Sequence, residues 1–291
     1  MSILLVPNIL SAFVRKIFPP KSKRLDGLVV LVTSAGSGLG RELALGFAHH
    51  GASVACVDAD KRAALETAEE IVRDGERAKA YHTDVRSPEQ VAKLSEAVAR
   101  DLGLLDILVV YHTSFVSQAV EDTLDSTART LVEDNFLSHV WMVREFLPRM
   151  KQRGAGHIVS VTSLAGQAGL AGAAVYSGTC WAVNGFMESV KTEVLLEGHD
   201  NIQFTIVNAA VMDTSLSKNY SLNAIQRLGT RLPEVVAAYV ISGVRRNLVY
   251  VNIPEQIYWM CILAKLLPTT VVDWAHKLFG MEPKPSSTKT L

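Results

Sequence analysis

The sequence predicts an α/β fold built on one doubly wound, seven-stranded parallel sheet, with helices covering both faces. Three observations carry this. Short apolar, β-branched runs recur along the chain, amphipathic helix-length stretches separate them, and a glycine-rich turn joins the first run to the first such stretch. A strand buried on both faces reads as a continuous apolar run, and parallel neighbours need a crossover between them, so this alternation selects a parallel sheet. At 291 residues the chain is long enough to bury a sizeable core.

The elements follow in order. "LVVLVT" (28–33) is the first strand, and "SAGSGLGRELALGFAHHG" is a glycine turn running into a helix that Gly51 ends. "SVACVDAD" (53–60) is the second strand, followed by a helix over Lys61–Arg73. "AKAYHTDV" (78–85) is the third, followed by a helix over Pro88–Leu102. "DILVV" (106–110) comes next, then one long helix ending at Met150, "GHIVSVTS" (156–163), a helix over Tyr176–Leu196, "IQFTIVNAA" (202–210) and "NLVYVNI" (247–253). No internal repeat and no interdomain linker interrupts residues 25–291, which form a single domain with an apolar C-terminal extension. The polar tail "EPKPSSTKTL" is expected to be mobile.

Composition excludes several classes. Lys and Arg number 29 and so do Asp and Glu, leaving no basic field to attract nucleic acid. Three scattered cysteines, Cys56, Cys180 and Cys261, make neither a disulfide framework nor a metal cluster, and they fit a reducing compartment.

Residues 1–24 differ in character. They are apolar to Val14 and then carry Arg15, Lys16, Lys21, Lys23 and Arg24. Pro7, Asn8 and Ser11 interrupt the apolar run, which falls short of the roughly 20 residues a spanning helix needs. No basic stretch precedes it and no small-residue cleavage site follows, so a signal peptide is disfavoured. Ile3, Val6, Leu10, Phe13 and Ile17 recur at helical spacing before the basic patch, which suits a segment lying in a membrane surface. The same stripe suits a helix packed on its own domain or on a dimer mate.

In a doubly wound sheet, ligands bind at the carboxyl ends of the strands. Gly36, Gly38 and Gly40 lie in the turn after the first strand, where missing side chains let backbone approach a pyrophosphate at a helix N-terminus. Asp58 ends the second strand, 18 residues past Gly40, where a carboxylate accepts both hydroxyls of an adenosine ribose and repels a 2′-phosphate. That favours NAD over NADP. A second reading makes Asp58 the cap of the helix beginning at Lys61, a role Asp60 could fill instead.

"TSAGSGLG" at the nucleotide turn, "TDV" around Asp84, Asn135 in the long helix, Ser163 in "IVSVTSLAG" and Tyr176, which follows Ser163 by 13 residues, occur in this order. Together they resemble the short-chain dehydrogenase/reductases, from about Gly27 to Ile253, and the resemblance implies a Rossmann-type fold. It places Thr33, Ser34, Gly36, Ser37, Gly38, Leu39, Gly40, Asp58, Asp84 and Val85 around the dinucleotide. Tyr176 would exchange the hydroxyl proton, Ser163 would polarise the substrate oxygen, and Asn135 would hold a relay water. "RKIFPP" and the apolar "IYWMCILAKLLP" are similar to the retinol and 17β-hydroxysteroid dehydrogenase branch. That similarity implies a lipophilic alcohol or carbonyl substrate and a place on the cytosolic face of the endoplasmic reticulum or on lipid droplets, with a cytoplasmic location as the alternative. It also implies a homodimer through the helices carrying Trp141, Met142, Phe146, Trp181 and Phe186, residues that equally suit the core. The segment from Val211 to Arg231 would form a lid over the substrate.

The sequence departs from that family in one groove. Where the family has a lysine one helical turn after the tyrosine, this chain has Cys180. An unperturbed tyrosine has a pKa of about 10, and a neighbouring ammonium favours its phenolate; a thiol does not. Ser34 replaces a turn glycine, Val110 to Thr113 replace Asn-Asn-Ala-Gly, and Ala209-Ala210 replace Pro-Gly. His112 could substitute for the missing charge only if its ring reached Tyr176. Two functions follow: an NAD-linked oxidoreductase slowed at its proton step, or a silent binding protein that keeps the scaffold.

Overall fold

The computed structural model describes residues 21–111, 114–210 and 231–278. The apolar stripe of residues 1–18, His112, residues 211–230 of the expected lid and the polar tail therefore lie outside the described residues. Seven strands form one parallel sheet: β1 (Val29–Thr33), β2 (Ser53–Asp58), β3 (Ala78–His82), β4 (Ile107–Tyr111), β5 (Gly156–Ser163), β6 (Ile202–Ala209) and β7 (Tyr250–Ile253). Their order is β3-β2-β1-β4-β5-β6-β7, so the winding reverses between β1 and β4. At such a switch point a crevice opens beyond the strand ends. The register sets Val30 beside Val54 and Ile107, with every pairing parallel.

The described helices are α1 (Gly38–His49), α2 (Lys61–Arg73), α3 (Pro88–Asp101), α4 (Asp125–Val132), α5 (Ser138–Arg153), α6 (Ala174–Leu196), α7 (Pro233–Arg245), α8 (Glu255–Ala264) and α9 (Thr269–Leu278). Alternate residues of each strand point to opposite faces. Val30 and Val32 join Phe47 of α1, Ile71 of α2 and Val240 of α7 in one core layer. Val29 and Leu31 join Leu94 of α3, Phe146 of α5 and Met187 of α6 in the other. Met142 and Phe146 are thus core residues, while Trp141 and Phe186 pack partly against the same layer.

The expected long helix is three pieces: α4, a π-helical stretch over Glu133–Leu137, and α5. Ser138 Oγ donates to the Asp134 carbonyl inside that stretch, a side-chain bond of the kind that bends helices. α7, α8 and α9 are additional to the helices read from the sequence, although Pro233, Pro254 and Pro268 mark their starts.

The basic patch also behaves differently from its sequence reading. Lys23 turns inward, its Nζ 2.7 Å from His157 Nδ1, and its backbone N–H donates to the Arg245 carbonyl at 2.7 Å. Leu25 is fully buried beside it, and Arg24 pairs with Asp26 at the surface.

Candidate active site

The turn after β1 is held from below by β2. Ala35 N–H donates to the Val57 carbonyl at 3.0 Å, and Gly36 N–H donates to Asp58 Oδ2 at 2.9 Å. Two glycines are required by contact. A Cβ on Gly36 would lie 2.5 Å from that of Ala63, and one on Gly40 would lie 1.9 Å from the Ser34 carbonyl oxygen. The close approach at Gly40 is what seats α1 directly on the turn. Ser34 carries φ 50°, a left-handed conformation that costs a non-glycine residue about 1–2 kcal/mol. This is the strain expected where a serine replaces glycine.

Ser37 occupies the N-cap of α1 but its side chain makes no capping bond, leaving the N–H groups of the first turn, at Gly38, Leu39 and Gly40, for an anion. Asp60, and not Asp58, caps α2, accepting from Arg62 N–H at 2.9 Å and Ala63 N–H at 3.1 Å. Asp58 Oδ1 accepts from Asp60 N–H at 2.9 Å. Each Asp58 oxygen therefore takes one backbone bond and keeps a lone pair for a further donor. Thr33 and Tyr111 exchange two bonds, Oγ1 donating to the Tyr111 carbonyl at 2.8 Å and accepting from its N–H at 2.9 Å, which clamps the two strands that flank the crevice. Asp84 is gripped by the Arg86 guanidinium at 2.8–3.1 Å, and Val85 is buried in the second core layer.

At the end of β5, Ser163 Oγ accepts from Ala165 N–H at 3.1 Å, closing the short 3₁₀ turn Leu164–Gly166. The sequence separation brings Ser163 and Tyr176 together: a hydrogen bond from Ser163 favours the Tyr176 phenolate. Tyr176 and Cys180 share a small apolar cluster with Ala165 and Ala173, against which Phe115 and Leu170 pack. The Phe115 ring meets the Tyr176 ring edge-on, with centroids 4.9 Å apart. Burial pushes the phenol pKa well above its usual value, and the Cys180 thiol pushes it further. Burial likewise raises the thiol, against hydrogen bonds with Thr162, Tyr176 and Thr179. Phenol and thiol are both protonated at neutrality. They can donate hydrogen bonds to a carbonyl oxygen; neither readily takes a proton.

Asn135 lies in the π-helical stretch. Its Oδ1 accepts from Ser114 N–H at 2.7 Å, and its Nδ2 donates to the Ser114 carbonyl at 2.9 Å and to Thr179 Oγ1 at 3.2 Å. Thr179 Oγ1 donates to the Tyr176 carbonyl at 2.7 Å. One carboxamide thus ties the chain beyond β4 to the second turn of α6.

Sequence reasoning missed a second set of carboxamides. Asn184 Nδ2 donates to the Gly166 carbonyl at 3.2 Å and to Asn208 Oδ1 at 3.0 Å, and Asn208 Nδ2 donates to Asn252 Oδ1 at 2.9 Å. This chain links β7, β6 and α6 to the turn that follows Ser163. Its signal was three asparagines in otherwise apolar elements, Asn184 standing two helical turns after Tyr176. Among the described residues no three His, Cys, Asp or Glu side chains are arranged to hold a metal ion.

Comparison with known proteins agrees with this geometry. Residues 28–224 match the family described as short chain dehydrogenase. The chain is 29% identical to human epidermal retinol dehydrogenase 2, over 94% of this chain and 91% of that protein. It is also 29% identical to human 17-beta-hydroxysteroid dehydrogenase 13, over 91% of this chain and 88% of that protein. Among solved structures, a 7 alpha-hydroxysteroid dehydrogenase complexed with NADH and 7-oxo glycochenodeoxycholic acid superposes with a TM-score of 0.70 at 25% identity, over 79% of this chain and 94% of that one. With its family match over most of the chain, the chain belongs to the short chain dehydrogenase family, in its retinol and hydroxysteroid dehydrogenase branch.

Proposed function

We propose that the protein is an NAD(H)-linked oxidoreductase acting on a lipophilic secondary alcohol or its carbonyl, of retinoid or steroid type, with a proton step slowed by Cys180. The observation that carries this reading is Asp58: both oxygens bond backbone of the turn and the α2 cap, yet each retains an acceptor site at the mouth of the crevice. Gly38, Leu39 and Gly40 would face the pyrophosphate, and Asp58 would take the adenosine ribose, its charge disfavouring a 2′-phosphate. Bound there, the dinucleotide supplies the hydride acceptor or donor. Ser163 would hold the substrate oxygen and Tyr176 would pass the proton, with Asn135 fixing the backbone of Ser114 and Thr179 in the second turn of α6.

The buried phenol favours one direction. A protonated Tyr176 donates to the oxygen of a carbonyl undergoing reduction, whereas oxidation needs the phenolate that burial and the thiol oppose. Relatives named for lipophilic retinol and hydroxysteroid substrates and the apolar stripe of residues 1–18 support a place at the cytosolic face of the endoplasmic reticulum or on lipid droplets. Among the described residues no helix is long and apolar enough to cross a membrane.

A second reading has a specific observation behind it. The position that would carry a lysine holds a thiol enclosed by Thr162, Tyr176 and Thr179, which fits a silent protein retaining the scaffold for binding. Calorimetric titration with NADH separates the two. Binding with turnover of a retinoid or steroid carbonyl supports the enzyme, and no heat at millimolar NADH rules it out in favour of the binding protein.

A further inference from the structure

A lysine, a histidine and a threonine meet at the end of the sheet opposite the candidate site. Lys23 Nζ lies 2.7 Å from His157 Nδ1, His157 Nε2 lies 2.8 Å from Thr205 Oγ1, and Thr205 Oγ1 donates to the Leu248 carbonyl at 2.7 Å. The Thr205 proton is committed to that carbonyl, so its oxygen accepts from His157 Nε2, and Nδ1 is left unprotonated toward the amine. His157 and Thr205 are buried, whereas Lys23 is half-buried and keeps part of its surface in solvent. His157 is the second residue of β5 and Ser163 the last, so six residues of strand, roughly 20 Å, separate this group from the crevice.

A nucleophile, an unprotonated base within hydrogen-bond reach and a third group orienting the base are the parts of an activated nucleophile. We infer that Lys23 is a site of self-acylation, its amine taking a small acyl group from a thioester with His157 Nδ1 as the base. The free amine donates one N–H to Nδ1 and keeps its lone pair for the thioester carbonyl carbon. The C–N bond forms, the surplus proton on nitrogen passes to Nδ1, and the C–S bond breaks as the thiolate leaves; His157 then returns its proton through solvent to that thiolate. The product amide keeps one N–H for Nδ1, so the contact persists without its charge. Burial pulls the Lys23 pKa down to about 8 against the attraction of Asp106. About a quarter of it is then free amine at pH 7.5, where an ordinary lysine has about a thousandth. The other charges around it are held in place. Asp106 accepts from Val29 N–H at 2.8 Å and pairs with Arg153 at 3.0 Å, and Arg245 Nε donates to the Lys23 carbonyl at 3.3 Å. Asp26 and His50 interact with that Arg245 guanidinium in turn. The half-buried amine admits only a small acyl group. Exposed Lys21 and Arg24 flank Lys23 in the chain, and with Arg245 they gather three cations around one amine, which suits a thioester whose carrier bears phosphates.

The full-length protein is incubated at low salt with acetyl-coenzyme A from about pH 6.5 to 10, and peptide mass spectrometry reads the initial acetylation rate at each lysine. No dinucleotide is present, so the result is independent of the oxidoreductase reading. At pH 7.5 Lys23 should acetylate at least about tenfold faster than the exposed Lys61 and Lys93, and its rate should level off just above pH 8, where an ordinary lysine is still gaining. The His157→Gln variant, whose carboxamide oxygen can accept from Nζ but takes up no proton, should keep that pH midpoint and lose about tenfold or more of the plateau rate, with an unchanged melting temperature showing that it is folded. S-acetyl-N-acetylcysteamine, a thioester without phosphates, should acylate Lys23 several times more slowly than acetyl-coenzyme A. A parent in which Lys23 reacts no faster than Lys61 and Lys93 overturns the inference and leaves the three side chains a structural contact, a comparison that does not depend on a variant folding. An unchanged plateau in folded His157→Gln overturns it as well, and equal rates with the two thioesters overturn the phosphate-bearing carrier.

Discussion

Cys180 stands one helical turn after Tyr176, and its thiol raises the pKa of the phenol it touches. Both groups belong to the same small apolar cluster, so burial and neighbour act in the same direction and Ser163 alone opposes them. Alcohol oxidation by the parent should therefore keep rising through the alkaline range. Cys180→Lys places an ammonium at this turn. It should raise the oxidation rate by about 10²-fold or more and move the rise toward neutral pH. Its longer side chain costs about 1–3 kcal/mol of packing, so the rate profile and the melting temperature are measured together. An unchanged profile in a folded variant would place the limitation elsewhere in the crevice.

Asp58→Asn keeps an acceptor for the Gly36 N–H but removes the charge. NADH affinity should fall about tenfold, as for loss of a charge-assisted hydrogen bond, while NADPH affinity should fall less or rise. Calorimetry with both dinucleotides reads the ratio.

Ser34→Gly should stabilise the protein. The residue sits at φ 50°, and glycine adopts that conformation without steric cost. A gain of about 1 kcal/mol corresponds to a melting temperature higher by roughly 2–4 °C. A lower melting temperature would mean that the serine side chain holds the turn more firmly than its backbone strains it.

The parts of the fold legible in the sequence were those encoded by local pattern. β5 and the Lys61–Arg73 helix run between the residues expected, because a continuous apolar run and an Asp60 cap each state their own boundary. The 13-residue separation of Ser163 and Tyr176 likewise survives as contact, since one short turn and the start of one helix span it. Long-range polar contacts were not legible. The Lys23–His157 pair joins residues 134 apart, and the three asparagines join α6, β6 and β7. No local periodicity marks such partners, and Lys23 looked like one more cation in a basic patch until the sheet placed a histidine opposite it.

Asn135→Ala removes three bonds at once and leaves both backbone groups of Ser114 without that partner. A loss of about 1–3 kcal/mol is expected for each buried group left unsatisfied, and the whole effect should appear in thermal unfolding. Asn135→Asp keeps the acceptor for Ser114 N–H but buries a charge and sets an oxygen against the Ser114 carbonyl, so it should be at least as destabilised as the alanine variant. Equal melting temperatures for Asn135→Ala and the parent would show that the chain beyond β4 is held by other contacts.

The Lys23–His157 contact fixes a direction for every proton in it. Thr205 Oγ1 donates to the Leu248 carbonyl at 2.7 Å, so it accepts from His157 Nε2, 2.8 Å away; His157 Nδ1 then carries no proton and accepts from Lys23 Nζ at 2.7 Å. A second proton on His157 would face the ammonium and lose this bond. Burial first, and the Lys23 charge second, hold the imidazole pKa well below its ordinary value, while burial pulls Lys23 down to about 8 against the attraction of Asp106. For a group depressed in this way the unfolded chain binds the proton first. The stabilising contribution of His157 is full above its unfolded pKa of about 6.5 and is lost as pH falls toward the folded one. Lys23 adds a slope of the same sign between about 10.5 and about 8. Stability should thus fall below about pH 6.5 by up to 1.4 kcal/mol per unit, roughly 2–4 °C in melting temperature for each kcal/mol. His157→Gln, which cannot charge, should flatten that acid limb without changing the Lys23 slope, and an acid limb as steep as the parent's would locate the titrating group elsewhere.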